Sequence, residues 1–291
     1  MLIKKRELAL YSLIFILIIS LSYFAPKILI ILATPSVYQP QTFDETYVEV
    51  SVFDIGEKVV VRANVSDSDA SATPLDTVYM NITDANGNLK VSFDEMVDTG
   101  ETCGTDCWIY EQNYTLGTGT EAPAGTWTID VYANDTGGNE DTNSATFTVN
   151  VYLAIALSTP LAGGIEFGNL DPNTINSSSL TCQNLGCNIS VSSDSNVNVD
   201  VVVKVNAPLT RQGGTETIET QYWNSSLTQQ PSSPAYQFQT SYDYTHKVGS
   251  NLEPGSNVIF NTWVTIPGGQ KAGVYNNTIY FCACKTGTSN C

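Results

Sequence analysis

The chain is 291 residues long, room for about two domains, and its 12 Lys and Arg against 29 Asp and Glu give a formal net charge of −17. That balance excludes binding to nucleic acid by phosphate neutralisation, which needs a basic face. With one histidine and no G-x-S-x-G, H-E-x-x-H or Gly-rich phosphate loop, the sequence presents no catalytic constellation and is not expected to be an enzyme.

The first element is apolar. Leu8 to Phe24, LALYSLIFILIISLSYF, contains no charge, and after Ala25-Pro26-Lys27 the apolar run resumes as far as Ala33. A helix over this segment exceeds the ~20 residues that cross a bilayer, and Lys4-Lys5-Arg6 orient its N-terminus to the cytoplasm. Residues 1–33 are therefore predicted to be a transmembrane signal anchor in the cell membrane, with everything after them extracellular. A cleaved signal peptide is the alternative, weakened by the long apolar region and the lack of an A-x-A site. Residues 34–45 hold two prolines and no sustained period, and read as a stalk.

From there the apolar period becomes two. In TVYMNITD, Val78, Met80 and Ile82 alternate with Tyr79, Asn81 and Thr83, the pattern of a half-buried strand. Similar runs cover Tyr47 to Phe53, Lys58 to Ser66, Leu89 to Met96, Trp108 to Leu116, Thr126 to Asn134 and Ala145 to Leu153, with turn-rich stretches between them. Short strands at this spacing predict an immunoglobulin-like sandwich over residues 46–153. A second set follows over residues 154–291: Ile165 to Leu170, Asn188 to Ser193, Val199 to Asn206, Thr217 to Trp223, Ala235 to Tyr244, Asn257 to Ile266 and Gly273 to Cys284. In Val199 to Asn206 the odd-numbered valines face one way, and Asp200, Lys204 and Asn206 the other. The expected fold class is all-β, an N-terminal transmembrane helix followed by two β-sandwich domains. Charge divides the two, with 20 acidic and 3 basic residues from Asp44 to Val151 against 8 and 5 from Tyr152 to Cys291.

The cysteines occur as Cys103 and Cys107 in CGTDC, Cys182 and Cys187 in CQNLGC, and Cys282, Cys284 and Cys291 in CACKTGTSNC. No C-x-x-C is present, so disulfides are favoured over zinc in an exported chain. Cys103–Cys107, Cys182–Cys187 and Cys284–Cys291 are the most local pairings, leaving Cys282 over; sequence does not fix the connectivity. Sequons stand at Asn64, Asn81, Asn113, Asn134, Asn176, Asn188, Asn224 and Asn276. Asn64 and Asn81 lie at polar positions of their strands, where a glycan is expected to project into solvent.

Asp135, Asn139, Glu140 and Asp141 form an acidic and amide knot able to offer oxygens to calcium, with Asp67 to Asp69 joining from another loop. The same residues suit a hairpin turn, because Asp, Asn and Gly bond locally and tolerate positive φ; the turn is the favoured reading. No cofactor other than calcium is expected. Trp127 has core parity, and Tyr222 and Trp223 are the best candidates for an exposed aromatic patch, although packing is the favoured role for them too. His246 reads as an exposed structural residue.

Ala124 to Asn139, AGTWTIDVYANDTGGN, resembles the penultimate strand and turn of Ig-like modules in bacterial and archaeal surface proteins. Phe167 to Pro172, FGNLDP, and Pro267 to Ile279, PGGQKAGVYNNTI, resemble the opening and closing segments of β-sandwich modules in archaeal surface and secreted proteins. The resemblance implies an archaeal envelope location and no activity. The function expected is thus a membrane-anchored, glycosylated, extracellular structural or adhesive envelope protein. Its partners would be the membrane, through the N-terminal helix, and envelope or S-layer proteins or further copies of itself. Two alternatives remain: a filament subunit whose Lys27 to Val37 adds as a strand to a neighbour, and an exported carbohydrate-binding protein or enzyme.

Overall fold

The structure, a computed structural model, describes residues 34–68, 70, 74–183, 186–225 and 235–289. The transmembrane helix expected over residues 1–33 lies outside them, and no helix among the described residues is long and apolar enough to cross a membrane. The fold class is corrected accordingly: the described chain is all-β, with sandwich-like sheets and no membrane-spanning helix.

Residues 36–149 fold into two five-stranded sheets. Their strands are β1 (Ser36–Val37), β2 (Gln41–Phe43), β3 (Val52–Phe53), β4 (Lys58–Ser66), β5 (Leu75–Thr83), β6 (Leu89–Glu95), β7 (Val97–Gly104), β8 (Cys107–Thr115), β9 (Gly125–Asp135) and β10 (Glu140–Val149). One sheet runs β1-β4-β8-β7, with β2 also on β4; the other runs β3-β10-β9-β5-β6. The period-two pattern explains the packing. Val59, Val61, Ala63 and Val65 of β4 enter one core with Met80 and Ile82 of β5 and Trp127, Ile129, Val131 and Ala133 of β9. Each buried Val, Ile or Met among them stabilises by about 1.5–3 kcal/mol when removed from water. The Trp127 indole N–H is not orphaned by burial, because it donates to Pro123 O at 2.9 Å. Three expectations change here. Residues 34–45, read as a stalk, contribute β1 and β2 to the first sheet. The stretch read as a turn around Cys103 is the hairpin β7–β8, and the strand expected over Tyr47 to Phe53 shortens to β3.

Residues 155–285 build smaller sheets. Their elements are β11 (Ile155–Leu157), the one-turn helix α1 (Thr159–Gly163), β12 (Ser177–Ser178), β13 (Asn188–Val191), β14 (Val199–Val205), β15 (Leu209–Arg211), β16 (Thr217–Ile218), β17 (Gln221–Asn224), β18 (Tyr236–Gln237), β19 (Gly249–Leu252), β20 (Asn257–Ile259), β21 (Asn261–Val264), β22 (Tyr275–Asn276) and β23 (Ile279–Lys285). The sheets are β11-β13-β20, β12-β21-β17-β18, β19-β14-β23 and β16-β15-β22. Pro160 sits in the first turn of α1, where its missing N–H costs nothing, and Leu161 is buried beneath it.

Three expected strands are broken because the chain changes sheet within them. Ile218 pairs with Leu209 whereas Gln221 pairs with Val264, and Ile259 pairs with Asn188 whereas Asn261 pairs with Asn224. In the last, Tyr275 pairs with Arg211 whereas Ile279 pairs with Val205. Phe260, fully buried at the second corner, packs edge-on against Phe281. Ile165 to Leu170, expected as a strand, is irregular.

The two units meet at Asn196, which is 5% exposed. Its Nδ2 donates to Ala122 O at 3.1 Å and Asn150 O at 2.8 Å, and its Oδ1 accepts Tyr152 N at 2.8 Å. Close by, Gly119 N donates to Asp194 O at 3.2 Å. Gly119 has φ +59, and a Cβ there would stand 2.3 Å from Ser193 O, so a side chain would force the two units apart.

Candidate functional site

The acidic knot is a hairpin turn closed by its own side chains. β9 ends at Asp135 and β10 begins at Glu140. Asn139 donates to the Asp135 carboxylate twice, from its backbone N at 2.8 Å and its Nδ2 at 2.7 Å. Asp135 N returns a bond to Asn139 O, and Gly138 N donates to Asp135 O. These bonds require a left-handed residue before the asparagine, and Gly138 takes it at φ +81.

The DANGN turn between β5 and β6 repeats the design. Asn88 gives its backbone N at 2.9 Å and its Nδ2 at 3.1 Å to Asp84, Asp84 N donates to Asn88 O, and Gly87 stands at φ +84. A third version, Asp44 to Val48, lacks the asparagine: Val48 N reaches Asp44 Oδ1 at 3.0 Å with Tyr47 at φ +61. D-x-x-G-N is therefore a structural module of this fold.

Electrostatics follow from the bonds. The Asn139 amide side chain, aided by backbone N–H groups, holds the Asp135 carboxyl below the usual carboxylate range. For Asp84, burial alone pushes the carboxyl up, but the Asn88, Asn86 and Lys90 donors together outweigh it and the net shift is down. The Thr46 hydroxyl and the Val48 N–H lower Asp44 in the same way.

The structure does not gather the four calcium candidates around one point. Asp135 and Asn139 bond each other, Asp141 Oδ2 accepts Val37 N at 2.7 Å, and Glu140 is exposed. Among the described residues no group of three His, Cys, Asp or Glu side chains is placed to hold a metal ion. Asp67 is buried and its N–H donates to Asp106 O, while Asp69 lies outside the described residues.

Cys103 and Cys107 are bonded across the tip of β7–β8 with Cα atoms 5.2 Å apart, and Cys182 and Cys187 are bonded at 4.8 Å. Cys291 lies outside the described residues, and with it the pairing expected for Cys284; Cys284 is buried in β23, with its Sγ 3.7 Å from Asp200 O. Of the sequons, Asn113, Asn176 and Asn276 are exposed, whereas Asn64, Asn134 and Asn188 are half-buried. Asn81 and Asn224 are buried, at 9% and 3% exposure. The expectation that Asn81 projects into solvent is thus corrected: its Oδ1 accepts Phe93 N at 2.6 Å.

The packing role favoured for Trp223 is what the structure shows, and no exposed patch forms on it. Trp223 is buried between Tyr236 and Phe260, with ring centroids at 5.1 and 6.2 Å. His246 is exposed, with its ring tilted against Tyr236 at 4.3 Å between centroids. Two features escaped the sequence reading. Asp200, placed on an outward face by alternation, is fully buried, because β14 is covered on both sides. It accepts Lys247 Nζ at 2.6 Å and the N–H groups of Asn251 at 2.8 Å and Gly287 at 3.2 Å. Burial would raise its carboxyl, yet these donors overcome that and hold it low. The second is an aromatic group, Tyr79, Phe93 and Tyr132, whose signal was a phase slip: Leu89, Val91 and Phe93 keep one parity and Met96 the other.

No family model matches the sequence, and no curated protein matches it significantly. Among solved structures, Salmonella alpha-2-macroglobulin reacted with methylamine aligns with 87% of this chain at 14% identity and a TM-score of 0.26. Trypsin-activated alpha-2-macroglobulin from Escherichia coli aligns with 84% at 15% identity and a TM-score of 0.27. The chain spans about 15% of the length of either. The C-terminal domain of the Streptococcus agalactiae AgI/II polypeptide BspA aligns with 87% of this chain and 96% of its own, at 12% identity and a TM-score of 0.23. At these scores the likenesses carry no conclusion about this chain.

Proposed function

We propose that the chain is an exported structural or adhesive protein of the cell envelope, whose two β units act by display and attachment. The observation that carries this reading is the pair of local disulfides, Cys103–Cys107 and Cys182–Cys187, because such bonds persist in oxidising compartments and are rare in the cytosol. The resemblance of Ala124 to Asn139 to surface modules supports it. So does the acidity of residues 44–151, which keeps an exposed surface hydrated and repels polyanions.

In this reading the contact at Asn196 links the two units, and the turns locked by their own side chains keep those loops ordered. Membrane-impermeant amine labelling of intact native cells tests the location. Lys271 and Lys285, both exposed, should be labelled before lysis; labelling only after lysis would contradict export to the surface.

A further inference from the structure

The outer face of the sheet β3-β10-β9-β5-β6 carries aromatic side chains that the core does not use. Tyr79 and Tyr132 stand directly opposite each other on β5 and β9, with parity opposite to Val78, Met80, Val131 and Ala133, which fill the interior. Phe93 of edge strand β6 joins them, its ring centroid 6.1 Å from Tyr79 and 5.6 Å from Tyr132. Phe93 is 59% exposed and adopts φ +47. For a bulky residue this left-handed conformation costs about 1–3 kcal/mol, and so exposed a ring recovers little of that by burial.

The fold nevertheless enforces the conformation. Register between β5 and β6 slips between Met80 and Ile82, leaving Asn81 opposite an extra residue, and the buried Asn81 amide oxygen takes the Phe93 N–H. A bulge of this kind re-aims a side chain. Here it turns a phenyl ring outward beside two tyrosines, and backbone strain maintained at a surface position points to use by a ligand.

We propose that Phe93 and Tyr132, whose planes lie 35° apart, with Tyr79 edge-on to Phe93 beside them, form a stacking site for a neutral hexopyranose unit of a glycan. The negative faces of the rings attract the polarised C–H groups of a sugar's apolar face. The rim offers partners for its hydroxyls: Thr142, in register with Tyr132, then Ser144 and Asn134 on the same face, and the exposed Glu95 opposite Tyr79. Anionic ligands are disfavoured by the 20 acidic residues against 3 basic ones in this unit. A cationic ligand fits less well than a sugar, since the rings lie on an open sheet rather than enclosing a cage.

This inference deepens the adhesive reading and rests on it. The test is native affinity electrophoresis of the full chain through gels containing mannan, β-glucan or galactan, with a trimethyl-lysine peptide as the cationic comparison. At least one neutral polysaccharide should retard the protein. Phe93→Gly keeps the left-handed backbone while removing the ring, so it should weaken retardation at least tenfold with little change in melting temperature, and Tyr132→Ala should weaken it comparably. Retardation by none of the three, or equal retardation of Phe93→Gly, overturns the proposal, as does binding of the trimethyl-lysine peptide alone. The amine labelling of intact cells is independent of these outcomes, so a failed stacking site leaves the surface location standing or falling on its own result.

Discussion

Residues 36–149 and 155–285 are both β structure, yet they are stabilised in different ways. The first unit has long strands, up to the 11 residues of β9, whose alternation delivers one continuous core. The second has strands of 2 to 7 residues, and three of its expected strands are split between sheets. Its order relies more on side chains bonded to distant backbone, such as Asp200, and on the Cys182–Cys187 bridge. Regular alternation and specific polar anchoring are thus two routes to the same architecture, and they should fail under different perturbations.

Trp127→Ala should have the largest effect. A fully buried indole is removed from the first core, at a cost of about 3–5 kcal/mol, and denaturant unfolding should show only the first unit's transition falling. Asp200→Ala should be the counterpart in the second unit. It strands Lys247 and two backbone donors and costs about 3 kcal/mol; a fall in the first unit's transition instead would break the comparison. Gly119→Ala, by driving a Cβ into Ser193 O, should cost about 1–3 kcal/mol at the junction and separate two transitions that otherwise overlap.

Acidification sharpens the contrast. Asp44, Asp84, Asp135 and Asp200 all titrate below their ordinary range when folded. Their contribution is complete above the unfolded value near ~3.9 and is lost as pH falls through the lower folded values. Glu216, held at about 2 by Lys271 and then Arg211, keeps its ion pairs until the pH falls to that value. Asp84→Asn should cost about 1 kcal/mol at neutral pH and flatten the first unit's stability loss between pH 4 and 2 (roughly the carboxylate range), as urea unfolding at several pH values would show. The smallest effect is expected from Gly87→Ala, about 1 kcal/mol, because alanine resists φ +84.

How much of this was legible in the sequence follows the same division. Lys58 to Ser66 was bounded correctly because its apolar residues alternate without interruption. The D-x-x-G-N turns were readable from local chemistry, since every bond lies within five residues. Asp200 was misplaced because alternation assumes one wet face, and what covers β14 comes from residues 247 to 287 in sequence. Asn81 was misjudged for a different reason: the bulge opposite it in the next strand of its own hairpin brings the Phe93 N–H onto its amide oxygen, which alternation does not foresee.

The central claim, a disulfide-closed exported protein, is tested most directly by peptide mass mapping of protein taken from native cells with thiols alkylated before any reduction. The account predicts linked peptides for Cys103–Cys107 and Cys182–Cys187, with any glycan confined to accessible sequons such as Asn113, Asn176 and Asn276 and absent from Asn81 and Asn224. Alkylation of all four of these cysteines before reduction would contradict it.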